Sequence, residues 1–281
     1  MTRIASDRVA IVINSFDRYA DCWLPLVHGF DKYWPDCPYS IYLVTNFRDF
    51  PHPGIRVLKV GEDTSWAQRL VDALEHVSSA YILYFQEDYW LTRPVDTERM
   101  ESYVDAMESH DLNYLRLLAF PPPDRDFPAD PRLGLISRDG EYRTSAQIAF
   151  WRRDVLLELL VPGESVWQFE IDGTRRSQTY GDTFASTKTH NGDPYYWGIS
   201  YVCTAINAGR WARAAKRYAA EEGLDVDFSN LPSETWWDDF KRRGRLGAVS
   251  KLSEHRLRLL LRDPKEFTRR AKARLGGNAG G

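Results

Sequence analysis

At 281 residues, 43% hydrophobic and 27% charged, the chain reads as a soluble globular protein with room for one large domain or two small ones. No segment approaches the roughly 20 apolar residues of a membrane-spanning helix. The net charge of −3 conceals an asymmetry: residues 241–281 hold 13 Lys and Arg against 3 Asp and Glu, the rest 24 against 37, and so acidic a body argues against general nucleic-acid binding.

Val9 to Asn14 (VAIVIN) is an apolar, β-branched run that predicts a buried strand, stopped by Ser15-Phe16-Asp17. Asp21 to Trp34 carries Trp23, Leu24, Val27, Phe30 and Trp34 at helical spacing, closed by Pro35 and Pro38. Ser40 to Thr45 and Ile55 to Val60 read as the second and third strands. Ser65 caps a helix whose apolar face is Trp66, Leu70, Ala73, Leu74 and Val77. Ala80 to Phe85 is the fourth strand, Thr97 to His110 a helix, and Asn113 to Phe120 another strand. This alternation predicts an α/β fold with a mostly parallel sheet covered on both faces, and ligands in such sheets bind at the carboxyl ends of the strands.

Beyond Phe120 the pattern loosens. Pro121 to Pro131 is a Pro- and Asp-rich loop, Tyr142 to Trp151 a strand and Arg153 to Leu160 a short helix. Glu164 to Asn191 reads as irregular, Tyr195 to Cys203 as a strand and Ala212 to Glu222 as a helix. From Pro232 the chain reads as helical and basic. Cys22, Cys37 and Cys203 match no zinc or redox spacing and read as reduced thiols of a cytoplasmic protein. Met1 to Arg8 lacks the apolar stretch of a secretory leader. The ten Trp residues serve either a sugar-stacking cleft or a large core.

Chemistry concentrates where the fourth strand runs into Gln86-Glu87-Asp88. Two carboxylates after a buried run are costly unless they meet water, a cation or a basic partner. Mg²⁺ or Mn²⁺ with a nucleoside diphosphate meets that need through one or two carboxylates plus phosphate oxygens. A solvated acidic turn is the simpler alternative. The strand order together with ILYFQEDYWL resembles the GT-A fold nucleotide-diphospho-sugar glycosyltransferases, over roughly residues 8–215, with residues 216–281 left as a C-terminal basic extension.

The resemblance implies a Rossmann-like GT-A catalytic domain that transfers a sugar from a nucleotide-sugar donor to an acceptor hydroxyl in glycan or glycolipid synthesis. In the family an acidic motif after the fourth strand binds metal and diphosphate. Here its first position is Gln86, leaving Asp88 as the leading metal ligand, Glu87 as a weaker one, and basic side chains as an alternative means of holding the diphosphate. Asn14, Ser15 and Phe16 fall where the family contacts base and ribose, and Asp63 where an acid accepts from the base. Arg69 and Arg210 are phosphate candidates. In inverting members a late carboxylate deprotonates the acceptor, which points to Glu170, flanked by the apolar Trp167 and Phe169, then Asp172, then Asp182. A late His ligates metal in some members, which makes His190 a second metal candidate.

The basic tail, Lys241 to Arg274, interleaves leucines with cations. It either lies on an anionic membrane surface, suiting a lipid-linked acceptor at the inner face of the membrane, or packs on the acidic body. A nucleotidyltransferase and a carbohydrate- or membrane-binding module without catalysis are the alternatives. The absence of Gly between Asn14 and Tyr19 counts against the first, and Gln86 supports the second.

Overall fold

The run Val9–Asn14 forms β1, buried at every position. Side chains alternate across a strand, so Val9, Ile11 and Ile13 enter one core while Ala10 and Val12 enter the other. A strand apolar on both faces requires a sheet covered on both sides. The structure, a computed structural model that describes residues 8–62 and 64–235, has that arrangement.

Parallel neighbours β2 (Ser40–Thr45), β3 (Ile55–Lys59) and β4 (Tyr81–Gln86) give the order β3-β2-β1-β4. Register pairs Asn14 with Gln86 at the carboxyl ends of β1 and β4. The sheet continues through β5 (Tyr114–Arg116), β6 (Arg125–Asp126), β7 (Leu133–Leu135), β8 (Ala149–Arg152) and β9 (Phe184–Thr187) in the order β4-β8-β5-β9-β7-β6. Here β8 is antiparallel to both β4 and β5, and β9 is parallel to β5. Helices α1 (Trp23–Tyr33), α2 (Trp66–Glu75), α3 (Thr97–Ser109) and α4 (Arg153–Leu159) cover it. Residues of α1 and α3 join one core and those of α2 and α4 the other. The fold is α/β, with a parallel half-sheet and a mixed half.

The second half departs from the sequence reading in four places. The strand expected over Asn113 to Phe120 is only β5, because the chain turns there around the buried Arg116. Its guanidinium donates to the carbonyls of Leu118 (3.1 Å), Tyr142 (3.0 Å) and Pro121 (2.5 Å). Burial lowers its pKa, yet a guanidinium stays charged in proteins, and these carbonyls supply its acceptors. The strand expected over Tyr142 to Trp151 is likewise cut to β8, since Arg143 donates instead to the carbonyls of Ile136 (2.6 Å) and Gly181.

Glu164 to Asn191 is more regular than its polarity suggests. It contains α5 (Val166–Gln168), a π-helical turn (Phe169–Gly173), α6 (Thr174–Ser177) and the central strand β9. Only Phe169 and Phe184 anchor this stretch as large buried apolar residues, which gave too thin a periodic signal. Tyr195 to Cys203 forms no strand beyond a single bridge from Tyr201 to Leu91, because Tyr195, Tyr201 and Tyr89 pack ring against ring. Within it Gly198 abuts β5: a Cβ there would lie 1.7 Å from the Leu117 carbonyl oxygen. Gly198→Ala is therefore expected to destabilise the protein by about 3 kcal/mol or more, read as a lower urea midpoint at unchanged slope.

A small hairpin, β10 (Ile206–Asn207) and β11 (Arg210–Trp211), leads into α7 (Arg213–Glu222). Glu222 fastens α7 to α1, accepting from Lys32 Nζ (2.5 Å) and Tyr33 Oη (2.7 Å). The chain divides into one unit over Met1–Ser233 and a second over Glu234–Gly281. The start of the expected extension, residues 216–233, thus belongs with the first unit, and the basic tail from residue 236 lies outside the described residues. Among the described residues no helix is long and apolar enough to cross a membrane.

Candidate active site

The carboxyl ends of β1 and β4 open into a cleft of about 480 Å³. Asn14, Phe16 and Tyr19 form its β1 side, and Gln86 and Glu87 its β4 side. The N-terminal turn of α2 adds Ser65, Trp66 and Arg69, and the segment from Gly163 to Gln168 closes the far wall.

Local hydrogen bonding fixes each wall. Asp17 starts a 3-10 turn after β1, and its carboxylate accepts from the backbone N–H groups of Asn46 (3.0 Å), Phe47 (3.0 Å) and Arg48 (3.1 Å). The loops after β1 and β2 are thereby tied together. Ser65 caps α2 by accepting from Gln68 N–H, and the same hydroxyl accepts from Gly163 N–H, both at 3.0 Å. Gly163 has φ +94°, a conformation that favours glycine. Ser165 and Gln168 form a reciprocal capping box at α5. Arg176 grips Glu164 at 2.7 and 2.8 Å, so the far wall is pinned from both ends.

Asn14 is 2% exposed and its amide N–H donates to the Trp66 carbonyl at 3.2 Å. Only the amide nitrogen can face a carbonyl, which leaves Oδ1 as the acceptor, buried and without a protein partner. A polar atom so placed calls for a donor from a ligand or water. The Arg69 guanidinium lies 4.7 Å from the centre of the Phe16 ring, over its face. Gln86 donates to Tyr89 Oη (2.8 Å) and to the Ala146 carbonyl (3.3 Å), which orients its amide.

Glu87 and Asp88 are 6% and 7% exposed and diverge. Glu87 lines the cleft; Asp88 does not, and its carboxylate accepts from Ile206 N–H at 3.2 Å. Burial raises the pKa of both. The Asp88 charge pushes Glu87 further up against the pull of Arg69, while the bonds from Ile206 and Thr204 draw Asp88 back down. The expected order of the two is thus reversed at the cleft surface, because the β10–β11 hairpin engages Asp88.

Among the described residues no group of three or more His, Cys, Asp and Glu side chains is placed to hold a metal. A cation carried by a diphosphate needs only one or two protein carboxylates. Glu87 fits that lesser requirement: it presents one carboxylate to the cleft beside a second buried negative charge. His190 does not join it, stacking instead on Tyr196 with ring centres 4.2 Å apart.

The other expected site residues divide. Ser15 is buried and accepts from Trp23 Nε1 at 2.7 Å, a packing role beneath the cleft floor. Arg210 is exposed on β11, outside the cleft lining. Asp63 lies outside the described residues. Asp172 pairs with Arg175, and Asp182 with Arg125 at 3.0 Å. That pairing holds Asp182 below the usual carboxylate range, which does not suit it for taking a proton.

Glu170 follows the far wall directly. Its carboxylate accepts from Ala146 N–H and Ser145 Oγ, each at 3.0 Å, and the Ala146 carbonyl in turn accepts from Gln86. Burial raises its pKa, countered by these two bonds and by the Arg116 charge. Sequence reasoning did not place Tyr19, Ser65, Trp66 or residues 163–165 at the cleft. Ser165-x-x-Gln168 is a capping-box signature that could have revealed the last.

The α/β fold with a cleft at the carboxyl ends of β1 and β4 is similar, at low identity, to several solved structures. S. aureus TarS 1-349 in complex with UDP is 9% identical with a TM-score of 0.47, over 65% of this chain and 58% of that one. The mannosyltransferase PcManGT from Pyrobaculum calidifontis, in complex with GDP-Man and Mn²⁺, is 12% identical with a TM-score of 0.46, over 79% and 65%. A cytidylyltransferase from Leptospira borgpetersenii is 12% identical with a TM-score of 0.42, over 70% and 82%. The chain spans 35% of a longer TarS structure. No protein-family profile matches the chain, and no curated protein does. These are distant likenesses, and the chemistry of the cleft rests on its own residues.

Proposed function

We propose that the protein is a glycosyltransferase that binds a nucleotide-diphosphate sugar in this cleft and transfers the sugar to an acceptor hydroxyl. The observation that carries the reading is the meeting of Asn14, Phe16, Arg69, Gln86 and Glu87 in one cleft at the strand ends. Asn14 Oδ1 accepts from a ribose hydroxyl or base N–H, Phe16 and Tyr19 give the nucleoside an aromatic side, and Arg69 pairs with phosphate. Glu87 would hold a Mg²⁺ or Mn²⁺ ion brought by the diphosphate, which would supply charge neutralisation of the leaving group.

Glu170 accepts the acceptor's proton as its oxygen forms the new bond to the anomeric carbon. The bond from that carbon to phosphate breaks, the electron pair leaves with the nucleoside diphosphate, and Arg69 meets the developing charge. Direct displacement with one base inverts the anomeric centre. The Lys- and Arg-rich composition of Lys241 to Arg274 supports glycan or glycolipid synthesis at the cytoplasmic membrane face.

A thermal-shift panel of UDP-, GDP- and dTDP-sugars with and without Mn²⁺ tests the reading, since a ligand that binds only the folded state raises its melting point. One donor series is expected to stabilise the parent. Arg69→Ala is expected to weaken that donor by about 10- to 100-fold, the scale of a lost charge-assisted contact. No shift from any nucleotide sugar would overturn it. Release of pyrophosphate from a nucleoside triphosphate and a sugar phosphate would favour a nucleotidyltransferase instead.

A further inference from the structure

The segment that closes the far wall of the cleft carries an unusual surface. Trp167 is 64% exposed, Val161 41% and Ile171 38%, three of the six large apolar side chains most exposed among the described residues. A Trp left in water within a protein rich in fully buried Trp side chains is a departure that packing does not explain: Trp34, Trp90, Trp151 and Trp211 are all enclosed. Of these three Trp167 lines the cleft, and an exposed indole at the rim of a polar cleft marks a binding surface.

The position of this surface is as informative as its exposure. Trp167 lines the cleft, and Glu170 lies one helical turn further along the same segment. The Gln168 carbonyl oxygen accepts from Ser165 N–H at 2.8 Å, which leaves its amide N–H groups as donors in the same lining. An indole face next to an amide donor matches a ligand that is apolar on one side and ringed with hydroxyls, which describes a pyranose. An acyl chain would gain from the indole but would leave the amide donors of Gln168 without a partner.

We propose that Trp167 is the stacking platform for a pyranose ring of a carbohydrate acceptor, whose hydroxyl it presents toward Glu170. The proposal rests on the glycosyltransferase reading of the cleft and names the acceptor class for it. The backbone that carries the platform is held in place, because Ser65, Arg176 and the capping box fix the wall around Trp167. Rigid placement of an aromatic ring contributes contact area at small entropic cost.

The test is saturation-transfer NMR on the full chain with a panel of methyl glycopyranosides, in the presence of the nucleoside diphosphate that gives the largest thermal shift. The parent is expected to saturate the ring C–H protons of at least one glycoside. Trp167→Ala is expected to weaken that glycoside about tenfold, Trp167→Phe to restore part of it, and both to bind the nucleotide within about twofold of the parent. Equal loss of nucleotide and glycoside in Trp167→Ala would place the indole in the donor pocket and overturn the platform. Nucleotide binding with no glycoside response in the parent would overturn the platform alone. A parent that binds no nucleotide removes the glycosyltransferase reading and the platform with it.

Discussion

Glu170→Gln is expected to lower kcat by about 10²- to 10⁴-fold, the usual contribution of a general base, with the KM for the donor nearly unchanged. Glutamine keeps the size and the acceptor oxygen for Ala146 N–H and Ser145 Oγ, so the fold should survive. Burial holds the Glu170 pKa above its ordinary value, and a base acts only when deprotonated. The parent's kcat should therefore fall tenfold per pH unit on the acid side of that raised pKa and level off above it. Glu170→Gln should lack this limb. An unchanged kcat, or a retained acid limb in the variant, would transfer the role to another group.

Glu87→Gln has two opposed consequences. Losing the one carboxylate among the described residues that lines the cleft should cost about 10²-fold in kcat/KM with Mn²⁺ present, and should flatten the response to the cation. The variant should also be more stable than the parent at alkaline pH. Glu87 and Asp88 have folded-state pKa values raised above the unfolded ones, so the native state binds more protons and stability falls as pH rises through the window between them. Replacing Glu87 by a neutral isostere removes its share of that loss. The expected gain at pH 8 is about 3–6 °C in Tm, vanishing toward pH 4. Equal Tm across the range would mean that the carboxylate is not destabilised by its burial.

The two predictions trace to one feature legible in the sequence: a buried strand ending in two acids. That reading succeeded because β1, β2 and β4 are apolar on both faces and need no long-range information. Ser65 was equally readable as a cap, since its hydroxyl serves the helix it precedes. Which carboxylate would face the cleft was not readable. Asp88 is turned away by Ile206, a partner 118 residues distant in sequence, and no local pattern encodes that contact.

The far wall escaped for a related reason. Val166 to Tyr180 consists of short helical pieces interrupted by a π-helical turn, so its apolar residues follow no single period. In the same way Tyr195 to Cys203 has the composition of a strand but settles as a cluster of rings. Buried arginines replace regular ladders in this half: Arg116 and Arg143 satisfy carbonyls that strands would otherwise pair.

The most direct measurement is a crystal structure of the full chain grown with the nucleoside diphosphate that stabilises it most, together with Mn²⁺. The account predicts the nucleoside beside Phe16 with a donor on Asn14 Oδ1, the phosphates on Arg69, and the cation between Glu87 and the diphosphate. Nucleotide bound elsewhere on the protein, with the cleft between β1 and α2 empty, would contradict it.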